Sequence, residues 1–167
     1  MKDDMCVIKL GSYKAHFSAY MPKSRGTQEF CESFPETGEA IIAVDFVSRE
    51  LRNQRIQFEV VKDFTGKGAK ATGKDLFGEH LAEYTKAIIH QDIGSFRKSG
   101  TLNFPLSLSE KGWYIGVMRI ISDDNSVIAE SVFPFEVEPS TIWRYFVLLS
   151  FVVVLVGGLF VVVGYKK

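Results

Sequence analysis

The chain has 167 residues, with 20 Lys and Arg against 20 Asp and Glu and therefore no net charge. It carries no basic run, and phosphate binding needs clustered Lys or Arg, so nucleic acid is excluded as a partner class. About 140 residues precede a charge-free C-terminal stretch, enough for one domain with a proper core and too few for two.

Residues 1–12 read as an N-terminal extension. Their longest apolar run, Met5 to Ile8, is followed by Lys9 and is shorter than the apolar region of a signal peptide, so no such peptide is recognised. In Tyr13–Tyr20 the side chains of Tyr13, Ala15, Phe17 and Ala19 fall on one face and those of Lys14, His16, Ser18 and Tyr20 on the other, which predicts a half-buried strand. A loop over Met21–Gly38, with Pro22, Gly26, Pro35 and Gly38, leads into a nearly continuous apolar strand, Glu39–Val47. Arg55–Lys62 sets Ile56, Phe58 and Val60 against Gln57 and Glu59, and the glycines of Thr65–Gly73 end it. Lys74–Gly94 reads as a short helix or irregular loop, with Asp75 as a capping residue and a strand near Tyr84–Ile89. Strands resume at Gly100–Leu108, where Pro105 marks an edge or a bulge. Gly112–Ile121 and Val127–Val137 flank Ser122-Asp123-Asp124-Asn125-Ser126, a hairpin loop by its residues. Six or seven strands in residues 13–138 predict a mainly β fold, an immunoglobulin-like β-sandwich.

Residues 139–144 form a linker. From Tyr145 to Gly164 there are twenty residues without a charge, the length of a helix that crosses a hydrocarbon core of roughly 30 Å. Trp143, Arg144 and Tyr145 at one end, and the tail Tyr165, Lys166 and Lys167 at the other, place aromatic rings and charges at the two membrane interfaces. Ser150, Gly157 and Gly164 recur every seven residues and line up as a small-residue stripe against which another helix packs closely. Three of the 20 basic residues (Arg144, Lys166, Lys167) flank this stretch, leaving a head of 17 basic and 20 acidic residues, net about −3. Lys166 and Lys167 at the far end, against Glu136, Glu138 and Arg144 on the near side, place the head in the periplasm and the C-terminus in the cytoplasm. A cytosolic head on a tail anchor is the alternative, because no signal peptide is seen.

Cys6 and Cys31 leave two readings open. One is a disulfide that closes a loop of about 25 residues and contributes roughly 3 kcal/mol in an oxidising compartment. The other is two free thiols.

The passage Lys111-Gly112-Trp113-Tyr114-Ile115-Gly116-Val117, a turn, and a strand ending Phe133-Pro134-Phe135-Glu136-Val137 resembles the last hairpin of immunoglobulin-like periplasmic domains of the CopC and YtkA type. A sandwich head followed by one C-terminal helix also resembles the small membrane-anchored subunits that accompany bacterial copper monooxygenases and respiratory complexes. The sequence departs from the copper-binding members in lacking a clustered His/Met or Cys/Met set. No cofactor is therefore expected, with copper as the alternative.

The metal candidates are His16, His80 and His90, together with Met21, Cys6 and Cys31. None of these pairs has the spacing of C-x-x-C or H-x-x-x-H, so a site needs convergence in space. Met118, inside the penultimate strand, is expected in the core. Catalytic frames are missing: there is no G-x-S-x-G, no H-E-x-x-H and no phosphate loop around Gly66-Lys67-Gly68 or Gly73-Lys74. Asp123 and Asp124 are explained by their turn. Arg49, Arg52 and Arg55 read as a solvated connection between strands, or as a docking point for an acidic partner or headgroups. The function expected is that of a non-catalytic accessory subunit, its helix docked on the transmembrane helices of a larger complex within the bilayer. The alternatives are a copper-handling CopC-like protein and an anchored binding module for a soluble partner.

Overall fold

The computed structural model describes residues 6–139. The stretch Tyr145–Gly164, its stripe Ser150, Gly157 and Gly164, and the interface residues Trp143, Arg144, Tyr145, Tyr165, Lys166 and Lys167 lie outside the described residues. Among the described residues no helix is long and apolar enough to cross a membrane.

In chain order the elements are β1 (Val7–Leu10), β2 (Tyr13–Tyr20), α1 (Pro22–Arg25), β3 (Glu29–Phe30), β4 (Ser33–Phe34), β5 (Gly38–Phe46), β6 (Arg55–Lys62), α2 (Gly73–Leu76), α3 (Leu81–Ala87), β7 (Ile88–Phe96), β8 (Thr101–Leu108), β9 (Gly112–Ile121) and β10 (Val127–Val137). They form two five-stranded sheets. The first runs β1-β2-β5-β8, with β3 also paired to β2, and the second runs β4-β10-β9-β6-β7. All pairings are antiparallel except that of β4 with β10. The mainly β sandwich expected from the alternating pattern is therefore present.

Alternation places the core. Ala15, Phe17 and Ala19 of β2, Ala40, Ile42 and Val44 of β5, and Leu102, Leu106 and Leu108 of β8 are buried on the inner face of the first sheet. Ile56, Phe58 and Val60 of β6 and Met118 and Ile120 of β9 meet them from the second. Phenylalanines bridge the two layers: Phe133 lies 5.0 Å from Phe17 and 5.7 Å from Phe58, and Phe58 lies 5.1 Å from Phe104, centroid to centroid. Phe135 packs on Phe34 and Tyr114 at 5.2 and 5.7 Å. Such tilted and offset pairs add about 0.5–1.5 kcal/mol each beyond their burial.

Three stretches differ from the sequence reading. The N-terminal extension contributes β1, whose Val7 faces His16 and whose Leu10 faces Tyr13, so the first sheet begins inside residues 1–12. The loop 21–38 contains α1, β3 and β4, elements too short to show a period. The strand placed near Tyr84–Ile89 begins only at Ile88, because Leu81–Ala87 is helical and Tyr84 is turned onto the second sheet.

Gly116 makes the ring bridge possible. It sits opposite Phe133 in the β9–β10 register, and a Cβ there would overlap the Phe133 ring. Gly116→Ala is expected to destabilise the head by about 1–3 kcal/mol through overpacking, read as a lower urea midpoint. Adding Phe133→Leu should return part of that loss, and an unchanged midpoint in Gly116→Ala would refute the contact.

Candidate functional site

The second sheet is covered on its outer face as well. After β6 the chain turns on Asp63, whose carboxylate accepts the Thr65 and Gly68 backbone N–H groups at 2.8 and 2.9 Å and the Thr65 hydroxyl at 2.7 Å. Gly68 takes φ +54° beneath the Trp113 indole, where a side chain would collide with the ring. Next, the Asp75 carboxylate accepts the Thr72 backbone N–H and hydroxyl at 2.9 and 2.7 Å and pairs with Lys67 at 2.5 Å. The Lys67 and Thr72 contacts hold its pKa down at about 2. These turns lay residues 63–87 over the sheet, so that Ala71, Leu76 and Tyr84 bury Val61, Ile115 and Val117.

A charged cluster lies under this flap. Glu59 is 2 % exposed, and its two oxygens receive four donors. Gln57 and Gln91 reach one oxygen at 3.1 and 2.5 Å, while Arg119 reaches the other at 2.5 Å alongside the Tyr84 hydroxyl. Arg119 also donates to Glu130 at 2.8 Å and stacks on the Phe77 ring at 4.5 Å. Burial, reinforced by the Glu59 hydrogen bond, pushes the Tyr84 phenol well above its ordinary range. A carboxylate offers about four lone-pair sites, and here each is matched by a donor. Chemically the arrangement is a clip between sheet and flap rather than a group aimed at an entering molecule.

Sequence reasoning missed this cluster because Glu59 alternates with Ile56, Phe58 and Val60 and so reads as solvent-facing. The available signal was Arg119, a charge inside the apolar run of β9, which demands a buried counterpart.

Cys6 and Cys31 are joined as a disulfide with Cα atoms 5.4 Å apart. β1 and β3 pair with successive parts of the same β2 edge, and the bond ties the end of one to the start of the other, while the Phe17 N–H donates to the Cys6 carbonyl at 2.8 Å. A half-open groove of about 220 Å³ lies beside it, walled by Val7, Ile8, Phe17, Val132, Phe133 and Pro134.

The three histidines lie on separate elements. His16 is on β2, facing Val7 and Asp45 in the register; His80 is in the flap; His90 is on β7, stacked on Phe104 at 3.8 Å. Among the described residues no three His, Cys, Asp or Glu side chains stand together in a way that could hold a metal ion. Of the candidate sulfur ligands among the described residues, Cys6 and Cys31 are bonded to each other, and Met21, like Met118, is sealed in the core. Asp124 belongs to the hairpin loop, where contacts from Ser122 and Ser126 lower its pKa to about 2. Of the Arg cluster, Arg49 and Arg52 lie in the turn Arg49–Asn53, and Arg55 donates to the Ser122 carbonyl and Asn125.

No family model and no curated protein sequence matches the chain. Among solved structures, the chain is similar to the PmoD soluble domain from Methylocystis sp. ATCC 49242 (Rockwell), at 19 % identity and a TM-score of 0.66, over 80 % of this chain and 98 % of that one. At that identity the likeness shows the fold.

Two outcomes are expected from these contacts. Arg119→Leu strands the Glu59 carboxylate under the flap and should cost about 3–5 kcal/mol. Glu59→Leu combined with Arg119→Leu should cost clearly less than the sum of the single changes in a urea-melt cycle, and additivity would show the pair to be uncoupled. Burial on Phe104 lowers the His90 pKa, partly offset by Asp92. A histidine depressed in the folded state is neutral in both states above the unfolded value of about 6.5, so its effect appears only below that pH, where the unfolded chain takes the proton first. Stability should therefore fall from pH 7 to pH 5, and by less in His90→Phe; equal slopes would refute the assignment.

Proposed function

We propose that this chain is a non-catalytic accessory subunit of a larger membrane protein complex of the oxidase or monooxygenase type. Helix Tyr145–Gly164 docks among transmembrane helices, and the sandwich braces the water-exposed face. The observation that carries the reading is the way the sandwich releases its chain. β10 lies between β9 and β4, its Phe135 and Val137 are buried, and the Glu138 N–H donates to the Phe34 carbonyl at 2.8 Å. Tyr145 follows Val137 by eight positions. Residues 139–144 span at most about 21 Å when extended, so an anchor at Tyr145 holds the head close to the bilayer and pulls directly on a strand rooted in the core.

Other features support the same reading. The Cys6–Cys31 disulfide suits an oxidising compartment, which agrees with a periplasmic head and with Lys166 and Lys167 on the cytoplasmic side. The fully matched Glu59 cluster supports a bracing role. The likeness to the PmoD soluble domain is compatible with an accessory role and favours the anchored-subunit resemblance over the CopC one.

The full chain, extracted in mild detergent, should co-purify in fixed stoichiometry with a multi-subunit membrane enzyme. Gly157→Leu should release it by forcing packed helices apart, whereas Val152→Leu, two positions after Ser150 and five before Gly157 and so on the far side of a helix from the stripe, should be retained. Protease added to intact spheroplasts should remove the head. Absence of any stoichiometric enzyme would overturn the accessory role, and full protection from protease would overturn the periplasmic placement.

A further inference from the structure

The flap holds a half-open pocket of about 250 Å³ that its clip to the sheet does not use. The walls are Phe64, Thr65 and Lys67 from the turn after β6, Asp75 from α2, and His80 and Glu83 from the first turn of α3. Some of these groups are committed to the flap itself. Asp75 holds Thr72 and Lys67, while the Thr65 hydroxyl donates to Asp63 and accepts the Lys67 backbone N–H at 3.1 Å. Three groups are left over. Lys67 is half exposed and its ammonium has three donors, of which Asp75 takes one. The His80 imidazole and the Glu83 carboxylate, three positions apart and so on one side of a helical turn, have no hydrogen bond or ion pair among the described residues.

The pocket therefore offers an ammonium with spare donors, an imidazole N–H and an unpaired carboxylate beside a phenyl ring. Asp75, His80 and Glu83 do not stand together in a way that could hold a metal ion. The complementary ligand is a small zwitterion, whose anion takes the donors of Lys67 and His80 while its ammonium donates to Glu83. Charge-assisted bonds at both ends are about twice as strong as neutral ones. The volume lies below the roughly 300–1,000 Å³ of sites that enclose a drug-sized molecule, so the bound group is small.

Position selects among zwitterions. The Asp63 N–H donates to the Trp113 carbonyl at 3.0 Å, and Trp113 faces Glu136, one residue before Val137. α3 runs into Ile88, which faces Val61, one residue before Lys62 faces Tyr114. Both walls of the pocket stand at the end of the sandwich from which the chain leaves, and residues 139–144 keep that end within about 21 Å of Tyr145. The polar layer of a bilayer adds roughly 5–8 Å on each side of its hydrocarbon core.

We infer that the flap pocket binds the zwitterionic headgroup of a phospholipid, a phosphoethanolamine, with its phosphate on Lys67 and His80 and its ammonium on Glu83. The inference rests on the anchor at Tyr145 in the reading above, and it adds a second point that fixes how the head sits on the bilayer. Ethanolamine is preferred to choline because a quaternary ammonium has no N–H to donate to Glu83.

Soluble probes added to the full chain in maltoside detergent test the site, with the His80 ring-proton shifts as the readout. Phosphoethanolamine and dihexanoyl phosphatidylethanolamine should both give saturable shifts, and inorganic phosphate, ethanolamine, glycine and phosphocholine should each bind at least tenfold more weakly. Lys67→Met and Glu83→Gln should each weaken the phosphatidylethanolamine probe at least tenfold. Lys67→Met also removes the partner of Asp75, whereas Glu83→Gln breaks no contact and should leave the urea midpoint unchanged. Glu79→Gln, exposed nearby but outside the pocket, should bind normally. In vesicles of phosphatidylglycerol, adding phosphatidylethanolamine should slow amide exchange of residues 64–83 at least tenfold. No shift with either phosphoethanolamine probe, or normal binding by Glu83→Gln, overturns the site. Inorganic phosphate binding as tightly reduces it to an anion site and overturns the zwitterion. Soluble binding without slowed exchange in vesicles, or a chain that does not enter vesicles, overturns the lipid as its source. None of these readouts needs a partner enzyme, so failure to co-purify one removes the accessory role and leaves this site to its own result.

Discussion

β9 has no face to give to water. Tyr114, Met118 and Ile120 point into the sandwich while Ile115, Val117 and Ile121 point out of it, and all six are buried. A strand apolar on both sides must be covered on both sides. The first sheet supplies one cover. The other comes from residues 63–87, a run of short helical turns held by side-chain contacts at Asp63 and Asp75. The one charge in this strand, Arg119, then determines how the cover attaches. A guanidinium between a sheet and its lid requires a carboxylate, and Glu59 on the neighbouring strand and Glu130 on the other side provide two.

The same demand for closure explains the N-terminal region. β2 has a long edge, and no single strand fills it; β1 and β3 divide it and the Cys6–Cys31 bond joins them where they meet. The bond therefore closes a sheet edge as well as a loop. Opposite it, among the described residues, β7 ends the second sheet, and its pairing with β6 shifts register twice. The chain exit lies at one end of β10 and the exposed Val127 and Ile128 at the other.

Six strands were legible in the sequence: β2, β5, β6, β8, β9 and β10 stand where alternation or an apolar run placed them, within a residue or so at each end. Period two survives in a sequence because each strand must show one face to the core. The Ser122–Ser126 loop was equally legible, since its residues set the turn locally. The reading of the terminal stretch Tyr145–Gly164 rests on its length, its lack of charge and the aromatic rings and basic residues that flank it.

Tertiary structure decided the rest. Leu81–Ala87 is a helix of seven residues, too short to display a helical period, and the β-branched pair Ile88 and Ile89 drew the strand towards it. Strands of two to four residues have no period to read. Glu59 alternates as a surface residue does, yet it is buried because Tyr84, 25 positions away, and Arg119, 60 positions away, fold over and beside it. Pattern records which side of a strand a residue is on. Whether that side meets water depends on what another part of the chain places over it, and that information is absent from any local window.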